Sequence, residues 1–221
     1  MPEPHRPSLY FDFDNTITLG DVLDRVIERF SMTEAWRGWE ADWQEGRMAT
    51  ADCLARQVGD LRASPEALHD FMGEVAIDPA FARIAAWAST HGVPLRIVSD
   101  NFAPLIDAIL ERHGIAGIPV FANALAIDGD MMEARFPWRD PACATCAHCK
   151  SVHVRRDPAR PRIYVGDGLS DVCPSTVADV VFAKDALARR LGERGIAFRP
   201  YRHLGDVLAY LEAHHGAPLP A

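Results

Sequence analysis

Near the start of the chain an apolar run, Leu9-Tyr10-Phe11, leads straight into two carboxylates, Asp12 and Asp14, spaced two residues apart. A run this short and apolar predicts a strand over 9–14 buried on both faces. If the strand is straight, a period of two turns both carboxylates to one face. The pattern recurs. The strand ending in Ser99-Asp100-Asn101 begins at Pro94, and the strand over 162–165 runs into Gly166-Asp167-Gly168. A fourth short strand is predicted over 180–183. Helices are predicted over 81–90, 104–113, 186–194 and 204–214. Strands separated by helices predict a parallel sheet covered on both faces. Residues 119–127 read as extended and meet Asp128-Gly129, a hairpin turn signal.

From 21 to 75 the period changes to that of helices. Val22, Val26, Ile27 and Phe30 share one face, and Trp36, Trp39 and Trp43 share another. Ser64-Pro65-Glu66 reads as an N-cap with proline at the first helical position. The expected organisation is therefore α/β: a Rossmann-like core of residues 1–18 and 80–221, with a helical cap inserted at 19–79. The tryptophan stripe is expected to pack the cap helices. The alternative is an aromatic wall over a substrate, joined by Trp138.

Net charge −8 argues against nucleic acid, which requires clustered Lys and Arg. The polar, proline-bearing start predicts no secretory leader. The longest apolar stretch, 115–127, is too short to span a bilayer. We therefore expect a cytoplasmic protein, monomeric or homodimeric, with neither membrane nor nucleic acid as partner.

In open α/β sheets ligands sit beyond the carboxyl ends of the strands. There Asp12, Asp14, Asp167 and Asp171 would converge, and four acids with few bases suit a hard cation such as Mg2+. One carboxylate could attack phosphorus, while another passes a proton to the leaving oxygen and later accepts one from water. Thr16 and Ser99 could donate to phosphate oxygens, and Lys150, one of two lysines, could neutralise charge.

This set resembles the haloacid dehalogenase superfamily of phosphatases. Asp12-Phe13-Asp14-Asn15-Thr16 looks like its first motif, Ser99 its second, Lys150 its third and Gly166-Asp167-Gly168 with Asp171 its fourth. The resemblance implies a three-layer sandwich with an inserted helical cap of the C1 type. It implies a magnesium-dependent phosphatase for a small-molecule phosphate monoester, working through an aspartyl-phosphate. Asp12 would be nucleophile, Asp14 general acid/base and Lys150 the third catalytic residue. Thr16, Ser99, Asp100, Lys150 and Gly168 would bind phosphate. Asp12, Asp14 (through its backbone carbonyl), Asp167 and Asp171 would form the metal site.

The helical insertion resembles that of the phosphoserine phosphatase-like branch. Cys146-Ala147-His148-Cys149-Lys150 points within it to the methionine-salvage 2-hydroxy-3-keto-5-methylthiopentenyl-1-phosphate phosphatases and the phosphoethanolamine/phosphocholine phosphatases. The arginine with which phosphoserine phosphatases hold the amino acid falls here at Gln57, next to Arg56, which speaks against phosphoserine. A phosphotransferase passing the phosphoryl group to an alcohol is the nearest rival, followed by a non-catalytic or zinc-binding regulatory protein. Cys143, Cys146 and Cys149 with His153 could supply four zinc ligands. The alternative is unmetallated thiols.

Overall fold

The computed structural model describes residues 6–143 and 145–216. The residues read for a leader lie partly outside them. Among the described residues seven strands form one sheet in the order β4-β3-β2-β1-β5-β6-β7. They are β1 (Ser8–Phe11), β2 (Leu95–Phe102), β3 (Val120–Asp128), β4 (Met131–Arg135), β5 (Arg162–Gly166), β6 (Val180–Ala183) and β7 (Arg199–Pro200). All neighbours are parallel except β3 and β4. That hairpin closes at Gly129, whose φ of 62° suits a residue without Cβ.

Alternation along the strands assigns side chains to the two faces. Leu9, Phe11, Ile97, Ile163 and Val165 join the main core, which holds Phe81, Ile84 and Trp87 of α5 (Ala80–His91) and Leu208 and Leu211 of α10 (Leu204–His215). Tyr10, Val98 and Tyr164 point the other way, onto Val154 of α7 (Lys150–Arg156). Val181 and Ala183 meet Leu187 and Leu191 of α9 (Asp185–Glu193) on that side. The sheet is thus the middle of three layers, and the strands bury both faces, as their apolar sequences require.

Among the described residues four helices lie between β1 and α5: α1 (Val22–Phe30), α2 (Trp36–Gln44), α3 (Thr50–Gly59) and α4 (Pro65–Gly73). Asp21 caps α1 by accepting from Asp24 N at 2.9 Å, and Ser64 caps α4 by accepting from Ala67 N at 3.2 Å. The segment leaves and rejoins the sheet side by side, since Thr18 and Ile77 form an antiparallel bridge. β2 continues into α6 (Ala103–Arg112), and α8 (Val172–Ser175) follows a single 3₁₀ turn, Leu169–Asp171. The strand pair closing at β7 was not anticipated, because two residues carry no period. Among the described residues no helix is long and apolar enough to cross a membrane.

Candidate active site

The first strand stops at Phe11, three residues earlier than expected. Asp12 N still donates to Val165 O at 2.9 Å, but the chain then turns at Asn15, whose φ of 51° is left-handed. Phe13 and Ile17 plunge into the core, which fixes this turn. Asp12 and Asp14 nevertheless line one cavity beyond the sheet edge. The Asp14 carboxylate is clamped there: Val22 N donates to Oδ1 at 3.0 Å, and Asn101 Nδ2 stands 3.0 Å from each oxygen.

Lys150 opens α7 and is almost wholly buried. Its Nζ donates to Asp12 Oδ1 at 2.7 Å, Asp171 Oδ1 at 2.8 Å and Ser170 Oγ at 2.9 Å, with Asp100 Oδ2 3.9 Å away. Asp171 is saturated. Its Oδ1 also accepts from Tyr164 at 2.6 Å, and its Oδ2 accepts the N–H groups of Asp167 and Gly168, each at 3.0 Å. This carboxylate packs so tightly on β5 that a Cβ at Gly166 would stand 2.5 Å from its Oδ2. Asp167 accepts from Asn15 Nδ2 at 2.8 Å and Thr16 Oγ1 at 3.2 Å.

Electrostatics set the protonation states. Burial and the neighbouring Asp171 push Asp12 well above the usual carboxylate range, although Lys150 pulls it back. Burial alone would lower Lys150, but Asp12, Asp171 and Asp100 hold it charged. Burial and Asp21 raise Asp14 to about 8, with the Val22 and Asn101 hydrogen bonds acting against the shift. Ligand oxygens of Asp12, Asp167 and Asp171 come within 4.8 Å of one another. Asp12 and Asp167 offer hard oxygen donors whose negative charge the protein only partly offsets, so they fit a divalent magnesium-like ion.

The cavity measures about 240 Å³, and its other wall comes from the helical segment. Trp43, Leu23, Ile27 and Leu54 supply apolar surface there, and Asp21, Asp24 and Glu40 supply acids. Gln57 reaches in, donating to Glu40 Oε2 at 3.1 Å. Arg56 does not line the cavity, and Lys150 is the only cation that does among the described residues. Burial, Asp21 and Glu40 raise Asp24 to about 7.

Several residues stand elsewhere than expected. Thr16 is buried, does not line the cavity and braces Asp167 rather than offering its hydroxyl to phosphate. Asp100 lines the cavity, and its Oδ1 accepts from His148 N at 3.0 Å. Ser99 and Gly168 do line the cavity. Asp171, expected as a metal ligand, has both oxygens filled by four donors and is placed to orient Lys150 and the 167–168 backbone. The Asp14 side chain is likewise engaged by Val22 and Asn101.

Only Trp43 of the tryptophan stripe lines the cavity; its Nε1 donates to Thr50 Oγ1 at 2.9 Å. Trp36 packs on the core, with Arg37 stacked over its ring. Trp138 packs against Phe121, His148 and His153 behind the site. His153 is not turned to the cysteines, since its Nε2 meets His148 Nε2 at 2.9 Å. His148 Nδ1 lies 2.9 Å from Ser99 O, so it donates there and its Nε2 accepts the His153 proton. Burial first, then His153 and Lys150 beside His148 and Arg156 and Arg96 beside His153, lower both rings, His148 to about 3 and His153 to about 4.

The sequence motifs missed Asn101, Asn15, Tyr164 and Ser170. Asn101 sits directly after the second polar strand end, and its two-residue step from Ser99 was the available signal. The others act through tertiary placement and carried none.

The haloacid dehalogenase-like hydrolase family matches residues 9–173. The 2-hydroxy-3-keto-5-methylthiopentenyl-1-phosphate phosphatase of Brevibacillus brevis is 29% identical, over 92% of this chain and 94% of that one. Among solved structures, a haloacid dehalogenase family hydrolase from Salmonella enterica serovar Typhi superposes with a TM-score of 0.76 at 18% identity, over 96% of this chain and 73% of that one. A phosphoserine phosphatase carrying a phospho-aspartyl intermediate analogue superposes with a TM-score of 0.71 at 18% identity, over 94% and 99%.

Proposed function

The chain belongs to the haloacid dehalogenase-like hydrolase family and is a phosphoric monoester hydrolase, and from that premise we propose that it is a magnesium-dependent phosphatase for a small-molecule monoester, with Asp12 as nucleophile. The observation that carries this reading is the buried Lys150, which orients Asp12 through Oδ1 and leaves Oδ2 for phosphorus. Attack forms the Asp12–phosphorus bond as the ester oxygen departs. Asp14 donates its proton to that oxygen, then takes one from the water that cleaves the acyl phosphate. Ser99 and the 168–169 backbone lie where they can meet phosphate oxygens. Asp12 and Asp167 would hold the ion, with the Asp14 carbonyl, and Asp171 would buttress them. Bound magnesium supplies the positive charge that offsets the phosphate dianion. Residues 19–79 would act as a cap that excludes water during transfer, and 1–18 with 80–221 as the catalytic core.

The walls narrow the substrate. Asp21, Asp24 and Glu40 repel an anionic tail, and Gln57 stands where a carboxylate-binding arginine would be needed. The apolar strip beside Trp43 suits a neutral tail such as the methylthio group of the Brevibacillus substrate. The acids additionally favour an ammonium tail, as in phosphoethanolamine. Phosphate release from a panel of monoesters, with and without magnesium, tests both statements. Esters with neutral or cationic tails are expected to exceed phosphoserine in kcat/KM by about tenfold or more, a difference of about 1.4 kcal/mol. Phosphoserine as the best substrate would overturn the assignment of the walls, and metal-independent release would overturn the mechanism. A new phosphoester in place of free phosphate would identify a transferase.

The Asp14 assignment has its own signature. A general acid with a pKa of about 8 is protonated below that value, so kcat/KM should fall as pH rises through it. Asn101 stabilises the charged carboxylate, so Asn101→Ala should push the pKa up and move this alkaline limb to higher pH. A pH–rate profile in both proteins checks the shift, and a limb that stays in place would remove Asp14 as its source.

A further inference from the structure

The cysteines expected as a possible zinc site converge without His153. The sulfurs of Cys143, Cys146 and Cys149 lie within 4.8 Å of one another, in the irregular stretch between β4 and α7. A tetrahedral zinc with bonds of about 2.3 Å needs sulfurs roughly 3.8 Å apart, so a small contraction suffices. Asp140 N donates to Cys149 Sγ at 3.2 Å, orienting that sulfur as a backbone amide orients a thiolate ligand.

A fourth cysteine lies outside that group and across a cleft from it. Cys173, in α8, lines the same cleft as Cys146, with Arg194 of the α9–β7 connection close by to offset thiolate charge. The fifth cysteine, Cys53, is buried in α3 against the helical wall of the active cavity.

We propose that Cys143, Cys146, Cys149 and Cys173 bind one structural zinc ion, with Cys173 and not His153 as the fourth ligand. The ion would fasten two ends together. Cys149 directly precedes Lys150, and Cys173 lies two residues beyond Asp171, so zinc would bracket the Lys150–Asp171 ion pair from outside. On binding, each thiol gives up its proton to solvent and forms one Zn–S bond, with no redox change. The proposal does not depend on the substrate or on phosphatase turnover.

Metal analysis of the purified full-length chain tests it. About one zinc per chain should remain after dialysis, released in step with mercurial titration of four thiols. Cys173→Ser and Cys146→Ser should each weaken zinc retention by about tenfold or more, while His153→Gln leaves it unchanged. If the serine variants do not fold, cobalt exchanged into the wild-type protein should give the intense thiolate-to-cobalt absorption of a four-sulfur tetrahedral site. No bound zinc, with all four thiols freely reactive, would overturn the proposal. So would a disulfide among these residues in the freshly purified protein. Zinc lost with His153→Gln but kept in Cys173→Ser would overturn the choice of fourth ligand.

Discussion

Asp12→Asn is expected to lower phosphate release by on the order of 10⁴-fold or more while the protein still folds. The amide keeps the shape of the carboxylate and its hydrogen-bonding reach, but it cannot form the acyl phosphate. Stability should change by only about 1 kcal/mol, because two effects oppose each other. The variant loses the Lys150–Asp12 ion pair at 2.7 Å. It also relieves the repulsion between Asp12 and Asp171 that raises the Asp12 pKa. Lys150 keeps Asp171 at 2.8 Å as a partner and so remains charged and paired. Two measurements are needed. Thermal unfolding establishes that the fold survives, and steady-state release measures the loss. Borohydride reduction of wild-type enzyme quenched during turnover should convert Asp12 to homoserine, a change that mass spectrometry locates directly. Turnover within about tenfold of wild type would exclude Asp12 as the nucleophile.

Lys150→Met is expected to be the most destabilising single change at the site, by about 3–5 kcal/mol. The methionine fills similar volume, but Asp12 and Asp171 lose a buried cationic partner that touches both. An uncompensated buried charge costs more than the lost pair contributed. The pH dependence distinguishes this cause from a packing defect. Without the lysine, the folded-state pKa of Asp12 rises further above its unfolded value. The folded state then holds more protons than the unfolded chain over that interval. By linkage, the variant must gain stability relative to wild type as pH falls through the raised folded-state pKa of Asp12 toward its unfolded value. Magnesium should also stabilise the variant, since a cation replaces the missing charge. Urea unfolding at several pH values and magnesium concentrations reads all three effects. A loss independent of pH would point to packing alone.

The sequence made the chemistry legible mainly where it lies on regular elements. Apolar runs ending in polar residues located β1, β2 and β5, and with them Asp12, Ser99 and Asp167. Lys150 followed from motif order, but its role as the hub of three contacts did not, because α7 places it and α7 is only seven residues long. The turn at Asn15 ended the first strand early, for the left-handed backbone of an asparagine leaves no periodic trace. Thr16 was misplaced for the same reason: the turn buries it beneath Asp167. Tyr164 illustrates the opposite limit. It reads as one apolar residue of a buried strand, yet its hydroxyl donates to Asp171 from the far face of the sheet.

The adjacent ends of the helical segment have an evolutionary and an engineering consequence. Because Thr18 and Ile77 are bridged, the segment from 19 to 76 starts and ends at neighbouring points, and it meets the core again where Arg62 bridges Met131. Asp12, Asp14 and Lys150 all lie outside that stretch, whereas Trp43, Asp21, Asp24, Glu40 and Gln57 lie within it. The division is not complete, since from within that stretch Val22 N holds Asp14 Oδ1 and Asp21 raises the Asp14 pKa. A graft of another such segment between the same two points is expected to change which tail is accepted while sparing the chemistry only if it keeps those two contacts to Asp14.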